Sequence, residues 1–170
     1  MTIEEIKIAN STYRRRGSSV FDKEGNVRSV VARYVEKNVD KNKKILDYGC
    51  GSDFIQGNYL RQQGFSVDGW DIGTNKPSDC VSELRQIYDV VYASNVLNVI
   101  SSASMLEETL EQVYDCLKVG GMFIANYPTA PRKMEMDVRL LEDKIQSKFG
   151  CAIQVVGGTK SAPIWRVSKL

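Results

Sequence analysis

The sequence predicts an α/β fold: a mostly parallel seven-stranded sheet with helices on both faces, a three-layer α/β/α sandwich that ends in an antiparallel hairpin. Three observations predict it. Short apolar and β-branched runs alternate with segments of helical period, the signature of strands joined by helical crossovers. A glycine turn, Gly49-Cys50-Gly51, stands between the first such run and a helical segment. The last two runs have no helix between them and so can pair directly.

In order along the chain, Val27, Val30, Val31, Tyr34 and Val35 recur at helical spacing, with Asn26 placed as N-cap. Lys44 to Tyr48 reads as the first buried strand, followed after the glycine turn by a helix reaching about Gln63 and stopped by Gly64. Phe65 to Ile72 alternates as a second strand, Asp79 to Val81 is a short third, and Asp89 to Ala93 a fourth of β-branched character. Ser104 to Lys118 carries a capping box, Ser104 with Glu107, and a stripe of Leu106, Leu110, Val113 and Leu117 before Gly120-Gly121. Met122 to Tyr127 is a fifth strand. Met134, Val138, Leu141, Ile145 and Phe149 form a further helical stripe ending at Gly150. Ala152 to Val156 and Ile164 to Val167 are the closing strands, joined by a loop of Gly157-Gly158 and Pro163.

A length of 170 residues suits one domain, with residues 1–43 as an amino-terminal helical and substrate-facing segment and 44–170 as the ligand-binding core. Composition is ordinary for a globular protein, which excludes disordered and fibrous classes. No apolar run is long enough to span a membrane, and no hydrophobic stretch follows Arg14-Arg15-Arg16, so a cytoplasmic location is expected. The cysteines Cys50, Cys80, Cys116 and Cys151 contain no C-x-x-C pair and read as reduced, buried side chains. Histidine is absent. No metal site is expected, and any proton transfer falls to carboxylates, tyrosine, lysine or water. Charge is uneven: residues 1–44 hold 11 basic and 6 acidic side chains, residues 45–131 hold 4 and 11, and residues 132–170 hold 8 and 4. An acidic centre suits a cationic or hydroxyl-rich ligand. The basic flanks suit a polyanion, or are simply solvated helix faces.

In a parallel α/β sheet, ligands bind at the carboxyl ends of strands beside the switch point, where a glycine turn lets backbone N–H groups approach. Gly49 and Gly51 occupy that turn. A dinucleotide fingerprint would need glycine at position 54, which is Phe54. Asp71, twenty residues beyond Gly51, is placed to accept hydrogen bonds from ribose hydroxyls, or to cap its own turn through Gly73.

These residues carry a resemblance. Ile45-Leu46-Asp47-Tyr48-Gly49-Cys50-Gly51 resembles the D-x-G-x-G motif of class I S-adenosylmethionine-dependent methyltransferases, which have a Rossmann-like fold. Gly69-Trp70-Asp71-Ile72, Tyr88 to Ser94 and Leu117 to Phe123 resemble three further blocks of that family, in its order. The resemblance implies S-adenosylmethionine as cofactor. It places Gly49 and Gly51 against the methionine part, Asp47 in support of the turn and the amino group, and Asp71 on the ribose. Glu83 would reach the adenine amino group, Leu84 would pack on the ring, and Ser94 and Asn95 would stand between donor and acceptor. The sequence departs from the family at Asp53, where a glycine is usual. That carboxylate either lies near the reacting centre or serves the start of the helix. The box that such enzymes use to methylate adenine in DNA is missing at Ser94-Asn95-Val96-Leu97, and no Pro-Cys pair supplies a cytosine nucleophile.

The expected function is methyl transfer to an acceptor that is a small molecule or a nucleic acid, with Asp53, Asn95 and Tyr127 as candidate catalytic groups. Arg14, Arg15, Arg16, Arg132 and Lys133 are candidate acceptor contacts, forming a basic rim. A non-catalytic binding or regulatory protein of the same fold is the alternative, and a nicotinamide-dependent oxidoreductase a more distant one.

Overall fold

The computed structural model describes residues 1–12, 21–25, 27–73 and 84–170. Six strands, β1 (Lys44–Tyr48), β2 (Ser66–Trp70), β3 (Tyr88–Ala93), β4 (Leu117–Asn126), β5 (Gln154–Thr159) and β6 (Ala162–Ser168), form one mixed sheet in the order β2-β1-β3-β4-β6-β5. The first four are mutually parallel, while β6 runs antiparallel to β4 and to β5. Chain order reverses direction between β1 and β3, so the switch point lies there, beyond the carboxyl end of β1.

Alternation along the strands divides the core. Leu46, Val91, Ala93, Phe123 and Ala125 join a cluster with Leu106, Leu110 and Val113 of α4 (Ala103–Cys116), Leu141, Ile145 and Phe149 of α5 (Val138–Phe149), and Ala9 of α1 (Ile3–Thr12). Ile45, Val90, Tyr92 and Ile124 join the other cluster, with Val31 and Val35 of α2 (Val30–Asn38) and Tyr59 and Leu60 of α3 (Ile55–Gln62). Each strand residue thus faces opposite its neighbour, as the period of two requires.

Several expectations are corrected. The sheet has six strands among the described residues rather than seven, and the expected third strand, Asp79 to Val81, lies outside them. Helix α2 begins at Val30, not Val27. Ser29 is its N-cap, accepting from the Ala32 N–H at 3.2 Å, while Val27 is buried in a bridge with Phe21. Asn26, the expected cap, lies outside the described residues. Helix α4 is capped by Ser102 rather than Ser104, through the Met105 N–H at 3.1 Å, and so starts earlier than predicted.

Helix α4 also ends earlier, at Cys116, and β4 follows without a loop. Leu117 pairs with Tyr88 and Met122 with Val90, so β4 bulges between them, with Gly120 at φ 77°. Buried Lys169 closes this corner: its ammonium donates to the carbonyls of Tyr114 (2.7 Å) and Leu117 (2.9 Å). The carboxyl-terminal hairpin also turns elsewhere than predicted, at Lys160-Ser161. Gly157 and Gly158 lie within β5, where a Cβ on Gly158 would come within 2.2 Å of the Ala162 carbonyl. These glycines serve close strand approach rather than the turn.

Candidate active site

Four strand ends converge at the switch point. Beyond β1 the chain turns through Gly49 (φ 77°) and Gly51 (φ 68°), a conformation that glycine adopts without strain. A Cβ at Gly49 would lie 2.5 Å from the Val96 side chain, so the turn is pressed against the segment that follows β3. The first N–H groups of the turn are engaged internally. Gly49 and Cys50 donate to the Trp70 carbonyl at 2.7 and 3.2 Å, and Gly51 donates to Asp71 Oδ2 at 2.8 Å. Sequence reasoning expected these groups to face a ligand. Instead they bind the last residue of β2 and the Asp71 that follows it, which leaves Gly49, Cys50 and Gly51 poor donors for a phosphate.

Asp71 ties that loop together, since its Oδ1 also accepts from the Gly73 N–H at 2.9 Å. Both its turn-capping bonds are present, and each oxygen retains a second lone pair for a ligand hydroxyl. Asp47 lies deeper, at 2% exposure. Desolvation pushes its carboxyl up to about 7, with the nearby Asp71 charge adding to the rise. Tyr92 lies near enough to act on that charge, yet neither Asp47 Oδ2 nor the Tyr92 hydroxyl has a partner of good hydrogen-bond geometry. Burial and the two carboxylates push the Cys50 thiol up to about 12, so it is no nucleophile at neutral pH. An under-neutralised acidic pocket of this kind favours a cationic ligand.

The helix after the turn is entered by an unusual residue. Phe54 has φ 47° and makes no side-chain cap; its ring lies where Cβ atoms on Gly57 or Gly69 would stand, at 2.0 and 2.4 Å, and beneath the Arg61 guanidinium at 4.7 Å. A glycine here, as a dinucleotide fingerprint asks, would remove this plug between α3 and β2. Asp53 is exposed at the rim, its Oδ1 accepting from the Ser52 hydroxyl at 3.2 Å, and it is not the N-cap of α3.

At the end of β3, Ser94 is buried with its hydroxyl 2.8 Å from that of Ser29. Asn95 is exposed, has φ 59°, and pairs twice with buried Asn126 at the end of β4: its N–H donates to Asn126 Oδ1 (2.7 Å), and its Oδ1 accepts from Asn126 Nδ2 (2.9 Å). Leu84 is buried in the core cluster with Trp70 and Leu97.

Tyr127 is buried, and burial raises its phenol. The hydroxyl donates toward the carbonyls of Met134 (3.3 Å) and Met136 (3.4 Å). Arg132 stacks on the Tyr127 ring at 3.9 Å and donates to the carbonyls of Tyr127 (3.0 Å), Pro128 (3.0 Å) and Ser161 (2.6 Å). That guanidinium ties the loop after β4 to the turn between β5 and β6 through Nε and Nη2. Lys133 donates its backbone N–H to the Asn98 carbonyl at 2.9 Å, which anchors the same loop on the short turn Leu97–Val99. Glu83, Arg14, Arg15 and Arg16 lie outside the described residues.

Helix α1 crosses this end of the sheet. Glu5 accepts from the Ser102 hydroxyl at the start of α4, Ala9 is buried with Trp70 and Leu97, and Asn10 fills the space beside Gly73. Sequence reasoning overlooked Ser29 and Asn10, and it missed the pairing of Asn126, the first residue of the segment Asn126 to Lys133 that it assigns to the acceptor, with Asn95. The reciprocal pairing of Asn126 joins residues 31 positions apart and leaves no local pattern.

The methyltransferase-domain family profile matches residues 21–153 of the chain. No curated protein sequence matches it. Among solved structures, the fold is similar to a TehB-like SAM-dependent methyltransferase from Corynebacterium glutamicum, with TM-score 0.63 and 18% identity over 86% of this chain and 91% of that one. It is also similar to the 1,6-didemethyltoxoflavin-N1-methyltransferase of Burkholderia thailandensis, solved with S-adenosylhomocysteine, with TM-score 0.58 and 16% identity over 82% of this chain and 76% of that one. The profile match covers more than half of the chain and spans the glycine turn, the Asp71 loop and the paired asparagines: this chain belongs to the methyltransferase-domain family.

Proposed function

We propose that the chain transfers a methyl group from S-adenosylmethionine to a small-molecule acceptor at the carboxyl ends of β1 to β4. The observation that carries this is the Asp71 carboxylate at the end of β2, bonded to the glycine turn and keeping lone pairs for the two ribose hydroxyls. The engaged N–H groups of the turn and the Asp47–Asp71 pair fit a cationic ligand better than a pyrophosphate. S-adenosylmethionine supplies a sulfonium-activated methyl group, so the protein's contribution is orientation and exclusion of water.

In this reading Gly49 and Gly51 allow close approach of the methionine part, Asp47 balances its ammonium charge from below, and Ser94 shapes the wall after β3. Glu83 and Leu84 remain our assignments for the adenine side. Asn95 and Asp53 face the acceptor. Tyr127 holds the loop after β4 through its hydroxyl, and we assign it no proton transfer. Arg132 is tied through Nε and Nη2 to three carbonyls, and we assign it to holding the loop after β4 rather than to the acceptor. We assign residues 44–170 to the cofactor and residues 1–43 to the acceptor side.

Calorimetry with S-adenosylhomocysteine tests the reading. The wild type should bind it and not NAD. Asp71→Ala should weaken binding by about 1.5–3 kcal/mol, the worth of hydrogen bonds to a charged partner. Binding of NAD alone, or unchanged affinity in the variant, overturns the assignment.

A further inference from the structure

We infer that the acceptor pocket presents an amide N–H₂ donor, the Nδ2 of Asn95, and so takes a molecule with an unprotonated lone pair beside its methylated atom: a carbonyl, a carboxylate or a bare ring nitrogen. This rests on the proposed function for where the acceptor lies, but the polarity follows from hydrogen-bond chemistry alone. The chain of reasoning starts at the Asn95 backbone N–H, which can only donate. The Asn126 atom 2.7 Å from it must therefore be the oxygen. That fixes the Asn126 amide, whose nitrogen must then face Asn95, and the Asn95 atom 2.9 Å from that nitrogen must be an acceptor, its Oδ1. Only Nδ2 of Asn95 is left to point away from the pair.

The surroundings support a presented group rather than an internal brace. Asn126 is buried at 5% exposure and Asn95 is exposed. The next residue, Val96, packs against Gly49, which sets Asn95 beside the glycine turn. The positive φ of Asn95 aligns its backbone N–H and its side-chain oxygen on one partner. Asn126 is thus a positioning residue: it acts through Asn95 by dictating which end of the amide faces the acceptor. A nucleophile that itself carries the only N–H in reach would meet a second donor and lose its hydrogen bond, so an amine without a neighbouring lone pair is disfavoured.

The test uses ¹⁵N-labelled full-length protein saturated with S-adenosylhomocysteine and two bicyclic probes of similar size, 1-methylbenzimidazole, which only accepts, and indole, which only donates. The wild type should favour 1-methylbenzimidazole by about tenfold, the worth of one hydrogen bond made rather than left unmet, with the Asn95 side-chain amide resonances moving on titration. Asn95→Asp replaces the outward nitrogen by oxygen while still accepting from Asn126, and aspartate tolerates the positive φ, so the order should reverse. A purely structural pair would leave the order unchanged. Preference for indole, equal or no binding of the two, or an unchanged order in Asn95→Asp overturns the inference. In the unliganded wild type labelled with ¹⁵N and ¹³C, couplings across the hydrogen bonds read the same polarity without any variant: the Asn126 Nδ2 should couple to the Asn95 Cγ and the Asn95 backbone nitrogen to the Asn126 Cγ, and a coupling from the Asn95 Nδ2 to the Asn126 Cγ instead also overturns it. Failure of S-adenosylhomocysteine to bind counts against the proposed function, while the couplings still decide the polarity.

Discussion

Asp47 shows how a single buried carboxylate sets conditions for both stability and binding. Its folded pKa of about 7 stands above the unfolded value of 3.8, so between those limits the folded chain holds a proton that the unfolded chain has released. Stability contributed by this group is therefore complete below about pH 4 and lost as pH rises to 7, by on the order of 4 kcal/mol in all. Asp89 works in the other direction and in a different window. Although partly desolvated, it is held below the usual range by the Lys44 N–H and Lys118, and it loses its contribution only in stronger acid. Urea unfolding of the wild type should show a midpoint that falls between pH 5 and pH 8. In Asp47→Asn that fall should disappear and the variant should be the more stable at pH 8, with its new amide able to donate to the unpartnered Tyr92 hydroxyl. The same variant should bind S-adenosylhomocysteine more weakly, because the charge that destabilises the empty fold is the one proposed to face the ligand's ammonium. An identical pH profile in both proteins would show that Asp47 keeps no proton.

At the scale of elements, α3 and β2 meet across the Phe54 ring, and this contact decides what two glycines are for. Replacing a helical glycine with alanine normally stabilises by about 1 kcal/mol. At Gly57 the new methyl would sit 2.0 Å from a ring that Gly69 and Arg61 hold from the other sides, so the overpacking cost of about 1–3 kcal/mol outweighs the helical gain. Gly57→Ala should lower the urea midpoint, and Phe54→Leu in that background should restore part of it; additive losses would contradict the proposed contact. Lys169 does comparable work where α4 becomes β4. Lys169→Met keeps the aliphatic bulk but takes the ammonium donor from the buried Leu117 carbonyl and leaves the Tyr114 carbonyl with the Leu117 N–H alone, and should cost about 1–3 kcal/mol by chemical unfolding. The elements themselves were largely legible. Lys44–Tyr48 is the predicted strand residue for residue, and the stripe of α4 runs through the expected Leu106, Leu110 and Val113, while Leu117 passes to β4. Their edges were less so, because serine caps compete: Ser102 and Ser104 both suit the role, and the choice is made by Glu5, which reaches Ser102 from a helix far away in sequence. The glycines of β5 misled for a similar reason, since a glycine marks a turn or a close approach equally well until its partner strand is known.

Across the whole molecule, the motifs proposed for the cofactor, Asp47 to Gly51 and Gly69 to Ile72, were legible as short contiguous runs, and the topology sets them side by side. Asn95, Ser94 and Arg132 were legible only as single residues, because their partners Asn126, Ser29 and Ser161 are brought to them by the sheet rather than by spacing. A ligand bridging β1, β2 and the overlying α1 should therefore stabilise the fold as a unit. At a hundredfold excess over its dissociation constant, a ligand specific for the folded state adds about 2.7 kcal/mol, which for a chain of this length corresponds to a rise in Tm of roughly 5–10 °C. S-adenosylhomocysteine should produce that rise and NAD should not. Hydrogen exchange should locate the gain: amides of Gly49 to Ser52, the Asp71 loop and Ile3–Thr12 should become more protected together, since Asn10 packs on Gly73 and Glu5 on Ser102. Protection of the two loops without α1 would mean that the helix is a fixed wall and takes no part in closing the site.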